Sequence, residues 1–84
     1  MQIKVYSRSD DPYSDMLKSL LKYYQIPYEN VEISRNMDAF REMVACSGQQ
    51  KTPVLIVDEK VYVGFDRELI KTVLGLPPEN HGTP

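Results

Sequence analysis

The chemistry this chain offers first sits in four consecutive residues, Asp11, Pro12, Tyr13 and Ser14, which put a carboxylate, a phenol and a hydroxyl within one helical turn. Asp10 and Asp15 lie beside them. Such a group could supply a general base or ligands for a hard cation. It has neither the fixed ligand spacing nor the turn glycine of a calcium loop, so no metal site is expected. Asp leads the N-cap ranking and Pro is tolerated at the first helical position, so Asp11 is expected to cap a helix that opens at Pro12. Ser14 is expected to satisfy that helix start with its hydroxyl. Activating it as a nucleophile would need a base, and the single histidine, His81, is far along the chain. Cys46 is the single cysteine, which excludes an internal disulfide and a multi-thiolate metal site. It is expected to be a partly buried structural thiol at the margin of a helix, with no Lys, His or helix N-terminus beside it to make it reactive.

The elements that must position these residues follow from periodicity. Ile3 and Val5 alternate with Gln2, Lys4 and Tyr6, which predicts a short strand over Ile3–Tyr6. Tyr13, Met16, Leu17, Leu20, Leu21 and Tyr24 recur at helical spacing, and Pro27 ends that helical region. Tyr28–Ile33 reads as a second strand, and a strand, a crossover helix and a strand predict a parallel pair. A second helix is expected over Met37–Ser47, with Met37, Phe40, Met43, Val44 and Ser47 near one face and Gly48 closing it. Val54–Val57 is a run of β-formers of the kind buried on both faces. Asp58-Glu59-Lys60 then turns into Val61–Val63, giving an antiparallel hairpin. Asp66 is an N-cap, with Phe65 and Ile70 in the two positions of a hydrophobic staple. Leu69, Ile70, Val73 and Leu74 are expected to face the core, and Gly75 to stop the helix. The order β-α-β-α-β-β-α predicts an α/β protein, a mixed four-stranded sheet with three helices on its faces. One domain is expected over 1–75, followed by a flexible tail over 76–84.

Composition narrows the partners. With 84 residues there is room for one core, and 42% hydrophobic with 26% charged residues is ordinary for a soluble globular protein. A net charge of −2 gives no electrostatic reason to expect nucleic acid or an anionic membrane. No apolar run approaches the ~20 residues that span a bilayer. The first residues lack the pattern of a secretory signal, so a cytoplasmic location is expected. Tyr23, Tyr24 and Tyr28 have no basic stripe beside them and are expected at the core or its edge rather than on a stacking surface. Lys18 and Lys22 are expected to be an ordinary solvated pair on the first helix.

Read in order, the Pro12-Tyr13 pair opening a helix, Lys51-Thr52-Pro53-Val54, and Val63-Gly64-Phe65-Asp66 make the chain resemble bacterial glutaredoxins. The resemblance is in particular to small glutaredoxin-like and NrdH-redoxin-like proteins, covers about residues 1–75, and implies a thioredoxin-like fold. It also implies that Asp11 and Ser14 stand where the family has the two cysteines of Cys-Pro-Tyr-Cys. Thr52-Pro53 would be the loop whose proline is cis and whose backbone pairs with bound glutathione or peptide. Gly64, Phe65 and Asp66 would be the segment that holds the γ-glutamyl end of glutathione, through backbone N–H groups suited to an anion. Tyr13 could polarise a bound thiol, as hydroxyls do in glutathione transferases, but those enzymes need a second, all-helical domain.

Thiol–disulfide exchange needs a thiolate, and neither Asp11 nor Ser14 supplies one. The expectation is a monomeric glutaredoxin-like domain, redox-inactive at the dithiol site, with no catalytic residue and no cofactor. It would bind a protein or an extended peptide segment through Asp11, Pro12, Tyr13, Thr52, Pro53, Gly64, Phe65 and Asp66. Glutathione would bind weakly, because it is anionic and Asp10, Asp11 and Asp15 would make the local field negative. The alternative is residual thiol–disulfide oxidoreductase activity in cell redox homeostasis, either through Cys46 or in an active enzyme whose cysteines at 11 and 14 were replaced.

Overall fold

The computed structural model describes residues 1–77. The expected tail is seen only at Leu76 and Pro77, and residues 78–84, His81 among them, lie outside the described residues. The elements are β1 (Ile3–Ser7), α1 (Pro12–Tyr23), β2 (Glu29–Glu32), α2 (Met37–Ser47), β3 (Val54–Val57), β4 (Lys60–Val63) and α3 (Arg67–Val73). They form one four-stranded sheet in the order β2-β1-β3-β4, with β1 parallel to β2 and antiparallel to β3, and β3 antiparallel to β4. This is the mixed sheet with three helices that the sequence pattern predicts. The hairpin loop is Asp58-Glu59, and Lys60 already pairs with Val57. Asp58 takes a positive φ of 56°, which a short polar side chain tolerates.

Alternation along β1 divides the core in two. Ile3 and Val5 join Leu17, Leu20 and Leu21 of α1 with Ile70 and Leu74 in one buried cluster. Tyr6 points the other way, into a cluster with Ile33, Ala39, Met43 and Val54. The sheet is therefore covered on both faces, by α1 and α3 on one and by α2 on the other. β3, second from the edge, is buried as its unbroken run of β-formers implies.

Helix ends are closed by local chemistry. Asp11, Asn36 and Asp66 are extended N-caps whose side chains accept from Tyr13, Ala39 and Leu69 backbone N–H groups respectively. Beyond α3, Gly75 (φ 68°) and Leu76 donate to the carbonyls of Thr72 and Lys71 at 3.1 and 2.8 Å, a Schellman closure. Leu76 packs on the first cluster, and Phe65 does so beside Ile70, as a staple should.

Several expectations about faces need correction. Tyr23 is 79% exposed, Met37 61%, Tyr13 57%, Met16 47% and Leu69 46%. Met16, Tyr23, Met37 and Leu69 lie at or beyond the edge of the buried arc of their helices, where an apolar residue stays in solvent, while Tyr13 lies in the first turn of α1. Tyr24 and Tyr28 do pack against the core edge. Lys18 is not merely solvated: its ammonium lies 3.8 Å from Asp15.

Candidate functional site

Strand directions bring the candidate residues to one end of the sheet. Tyr6 pairs with Val54 and Val54 with Val63, so the chain leaving β1, the chain entering β3 and the chain leaving β4 meet there. Arg8–Asp11, Thr52-Pro53 and Gly64–Asp66 occupy those three segments. The Thr52–Pro53 peptide is cis, Pro53 is buried, and its carbonyl accepts the Gly64 N–H at 2.8 Å. Gly64 has a φ of 88°, a backbone conformation that L side chains rarely adopt.

Asp11 is the hub. Its Oδ1 accepts the Tyr13 backbone N–H at 3.0 Å, and its Oδ2 accepts the hydroxyls of Ser14 at 2.9 Å and Thr52 at 2.6 Å. Ser14 is fully buried, and its oxygen also accepts the Arg8 backbone N–H at 3.2 Å. Burial pushes the Asp11 carboxyl up, but donation by Thr52, by Ser14 and by the first-turn N–H groups outweighs it, and the carboxyl is held below its ordinary value. Both carboxylate oxygens are thus engaged by this chain's own donors. The site is assembled around a carboxylate held by three donors of this chain.

A groove of about 350 Å³ opens beside this network, lined by Arg8, Asp10, Asp11, Pro12, Gln50, Lys51 and Thr52. Of the eight expected binding residues, Asp11, Pro12 and Thr52 line it. Pro53 lies beneath, tied to Gly64, while Tyr13 is exposed on the first turn of α1. Phe65 is half-buried against the core, and Asp66 is engaged as the cap of α3, accepting from Leu69 N–H at 3.1 Å. The expected negative field is corrected here. Arg8 and Lys51 oppose Asp10 and Asp11 in the groove, while Asp15 turns to Lys18. Arg8 is missed by motif spacing because its side chain reaches the groove only once β1 and α1 are placed. A roomier cavity of about 810 Å³ lies at the opposite end of the sheet, among Met1, Gln2, Asp58 and Tyr62, and contains none of these residues.

Cys46 is exposed, not partly buried, and its Sγ donates to the Met43 carbonyl at 3.3 Å. It sits on α2, outside the groove. A second polar network, also unforeseen, joins the sheet to α2. The buried Tyr6 hydroxyl donates to Glu42, and the Lys4 ammonium lies 2.9 Å from the same carboxylate. Hydrogen bonding from Tyr6 and Lys4 draws the Glu42 carboxyl below its usual value, and Glu42 in turn raises the Lys4 ammonium. Among the described residues no three His, Cys, Asp or Glu side chains are grouped to hold a metal, and no helix is long and apolar enough to cross a membrane.

Comparison with known proteins gives consistent results. The Glutaredoxin family model matches residues 3–62. An uncharacterized glutaredoxin-like 8.6 kDa protein in the rubredoxin operon of Clostridium pasteurianum is 31% identical over 72 residues, covering 86% of this chain and 96% of that protein. Among solved structures, the glutaredoxin of Archaeoglobus fulgidus superposes with a TM-score of 0.80 at 19% identity, over 87% of this chain and 85% of its own. The glutaredoxin-like NrdH-redoxin of Escherichia coli does so with a TM-score of 0.74 at 24% identity, over 95% of this chain and all of its own.

Proposed function

The chain belongs to the glutaredoxin family of thiol–disulfide oxidoreductases, and from that membership we propose that it is a redox-inactive member that holds an extended segment of a partner protein. The observation that carries this is the Asp11 network. Asp11 and Ser14 stand where the family's motif has cysteines, and here they are hydrogen-bonded to each other, with Thr52 closing on Asp11 from the opposite loop. A carboxylate and a hydroxyl cannot form the mixed disulfide through which exchange proceeds. The surroundings of the pair remain built: a helix N-terminus, an ordered Thr52-Pro53 loop, and Gly64 fixed beside it.

Such a scaffold suits main-chain recognition, in which the backbone of an extended segment hydrogen-bonds to the loop ahead of Pro53 and its side chains lie along the groove. Glutathione is disfavoured because Asp11 already occupies the first-turn donors with its own anion. The proposed role is that of a cytoplasmic monomer that acts by binding a partner.

Titration of the isotopically labelled protein with extended peptides, followed in 1H–15N spectra, tests this role. Peptide binding should move the Thr52, Gly64 and Phe65 amides in both the wild type and Cys46→Ser. A peptide-induced response confined to Cys46 and abolished by Cys46→Ser would replace binding at the groove with residual thiol chemistry on α2.

A further inference from the structure

We infer that a second pocket, beside the Asp11 groove, takes an acidic segment of the partner and seats one apolar side chain of it. The pocket, about 400 Å³, lies between the end of β2 and the start of α2 and is lined by Arg8, Ile33, Ser34, Arg35, Asn36, Met37 and Phe40. Its apolar part is Ile33, which is buried, the half-buried Phe40, and the largely exposed Met37 at the rim. Two guanidinium groups line it and no carboxylate does.

One carboxylate that adjoins this lining in the chain is already committed. Glu32 accepts the Ser9 N–H at 3.1 Å, the Ser34 N–H at 2.8 Å and the Ser34 hydroxyl. Ion pairs in the described residues join Lys4 to Glu42 and Lys18 to Asp15, and among the described residues neither Arg8 nor Arg35 takes part in an ion pair. The loop that carries Arg35 is nonetheless fixed. Ile33 N–H donates to the Ser7 carbonyl at 2.9 Å, and the Asn36 side chain caps α2 at Ala39 N–H, 3.0 Å away.

Arg8 lines both this pocket and the Asp11 groove, so the two adjoin at that residue, and Lys51 adds a further cation in the groove. Asp10 and Asp11 oppose it there, and Asp38 lies in the first turn of α2. The excess of cations is thus confined to the lining of the second pocket, in a chain of net charge −2. Arg forks pair carboxylates bidentately, and a floor of Ile33 and Phe40 suits an aliphatic side chain. A polyanion such as nucleic acid would meet too few cations here and an overall acidic protein. An acidic peptide with an embedded aliphatic residue satisfies both halves of the lining.

This inference rests on the partner-binding role proposed above, and the two can fail separately. The probes are Ac-Glu-Glu-Leu-Glu-Glu-NH2, its lysine counterpart Ac-Lys-Lys-Leu-Lys-Lys-NH2, and a short oligothymidine, each titrated into the full labelled chain and followed by 1H–15N spectra. The acidic peptide should move the Arg8 amide and those from Ser34 to Phe40, and the lysine peptide should not. Arg35→Gln, an exposed loop change whose unaltered fold is checked by the same spectra, should weaken the acidic peptide about tenfold, and added salt should weaken it further. Shifts confined to Thr52, Gly64 and Phe65 would overturn this pocket and leave the groove in place. Binding indifferent to Arg35→Gln, or tighter binding of oligothymidine than of the acidic peptide, would also overturn it.

Discussion

The Thr52 hydroxyl donates to the Asp11 carboxylate across 2.6 Å, joining two residues that are 41 apart in the chain. That bond links the loop entering β3 to the first turn of α1. The carboxylate is therefore both a helix cap and a tertiary tie.

Removing the hub should cost stability. Asp11→Ala loses the cap and leaves the Ser14 and Thr52 hydroxyls without their acceptor, for about 1–2 kcal/mol at neutral pH. Thr52→Val removes one donor and should cost about 0.5–1.5 kcal/mol. Urea unfolding of both single variants and the double variant forms a cycle, and the double variant should be less destabilised than the sum. Strict additivity would mean that the two side chains are not energetically coupled.

Acid should erase the same contribution. The Asp11 and Glu32 carboxyls are both held below their ordinary values, 3.8 and 4.5, by donated hydrogen bonds that outweigh burial. A carboxyl with a lowered folded-state pKa stabilises fully above its unfolded value and loses that effect as pH falls through its folded value. The stability gap between wild type and Asp11→Ala should thus be flat above about pH 5 and shrink in stronger acid. Denaturation midpoints taken across that pH range check this, and a gap that widens in acid would contradict it.

The far face of the sheet offers an independent case. Tyr6→Phe keeps the buried ring and loses the hydroxyl that donates to Glu42, at an expected cost of about 0.5–1.5 kcal/mol. Lys4→Met should change stability less, because an ion pair to an exposed carboxylate contributes little. Thermal unfolding of the two variants should rank them in that order.

The scaffold should accept a pair of thiols at positions 11 and 14. In Asp11→Cys combined with Ser14→Cys, the two thiols would stand one helical turn apart at the head of α1. The helix N-terminus should draw the thiol at position 11 below the usual cysteine range, with Asp10 opposing. Thiolate absorbance against pH measures this. A thiol titrating at the usual value, together with a pair that never closes to a disulfide, would show that the loop geometry does not match the family's active site.

The order of elements was legible because period-2 and period-3.6 patterns, two Asp caps and two helix-stopping glycines all fall at the right places. Met16, Tyr23, Met37 and Leu69 were assigned inward because side-chain type records apolarity, not which arc of a helix meets the sheet. Asp11 was legible as a cap, since capping is local. Its bond to Thr52, the bond from Tyr6 to Glu42, and the place of Arg8 between two pockets were not, because each depends on chain segments that meet only through the sheet. The exposure of Cys46 was misjudged for the same reason as the stripe edges: a residue about 120° from the centre of a face can fall on either side of its margin.

The most direct measurement is disulfide reductase turnover, with glutathione as reductant, of wild type, Cys46→Ser and the variant carrying both Asp11→Cys and Ser14→Cys. Wild type and Cys46→Ser should show no turnover above the protein-free control, and the doubly substituted protein should show turnover clearly above it. Turnover by the wild type that survives Cys46→Ser would contradict the claim that Asp11 and Ser14 have removed the family's chemistry from this chain.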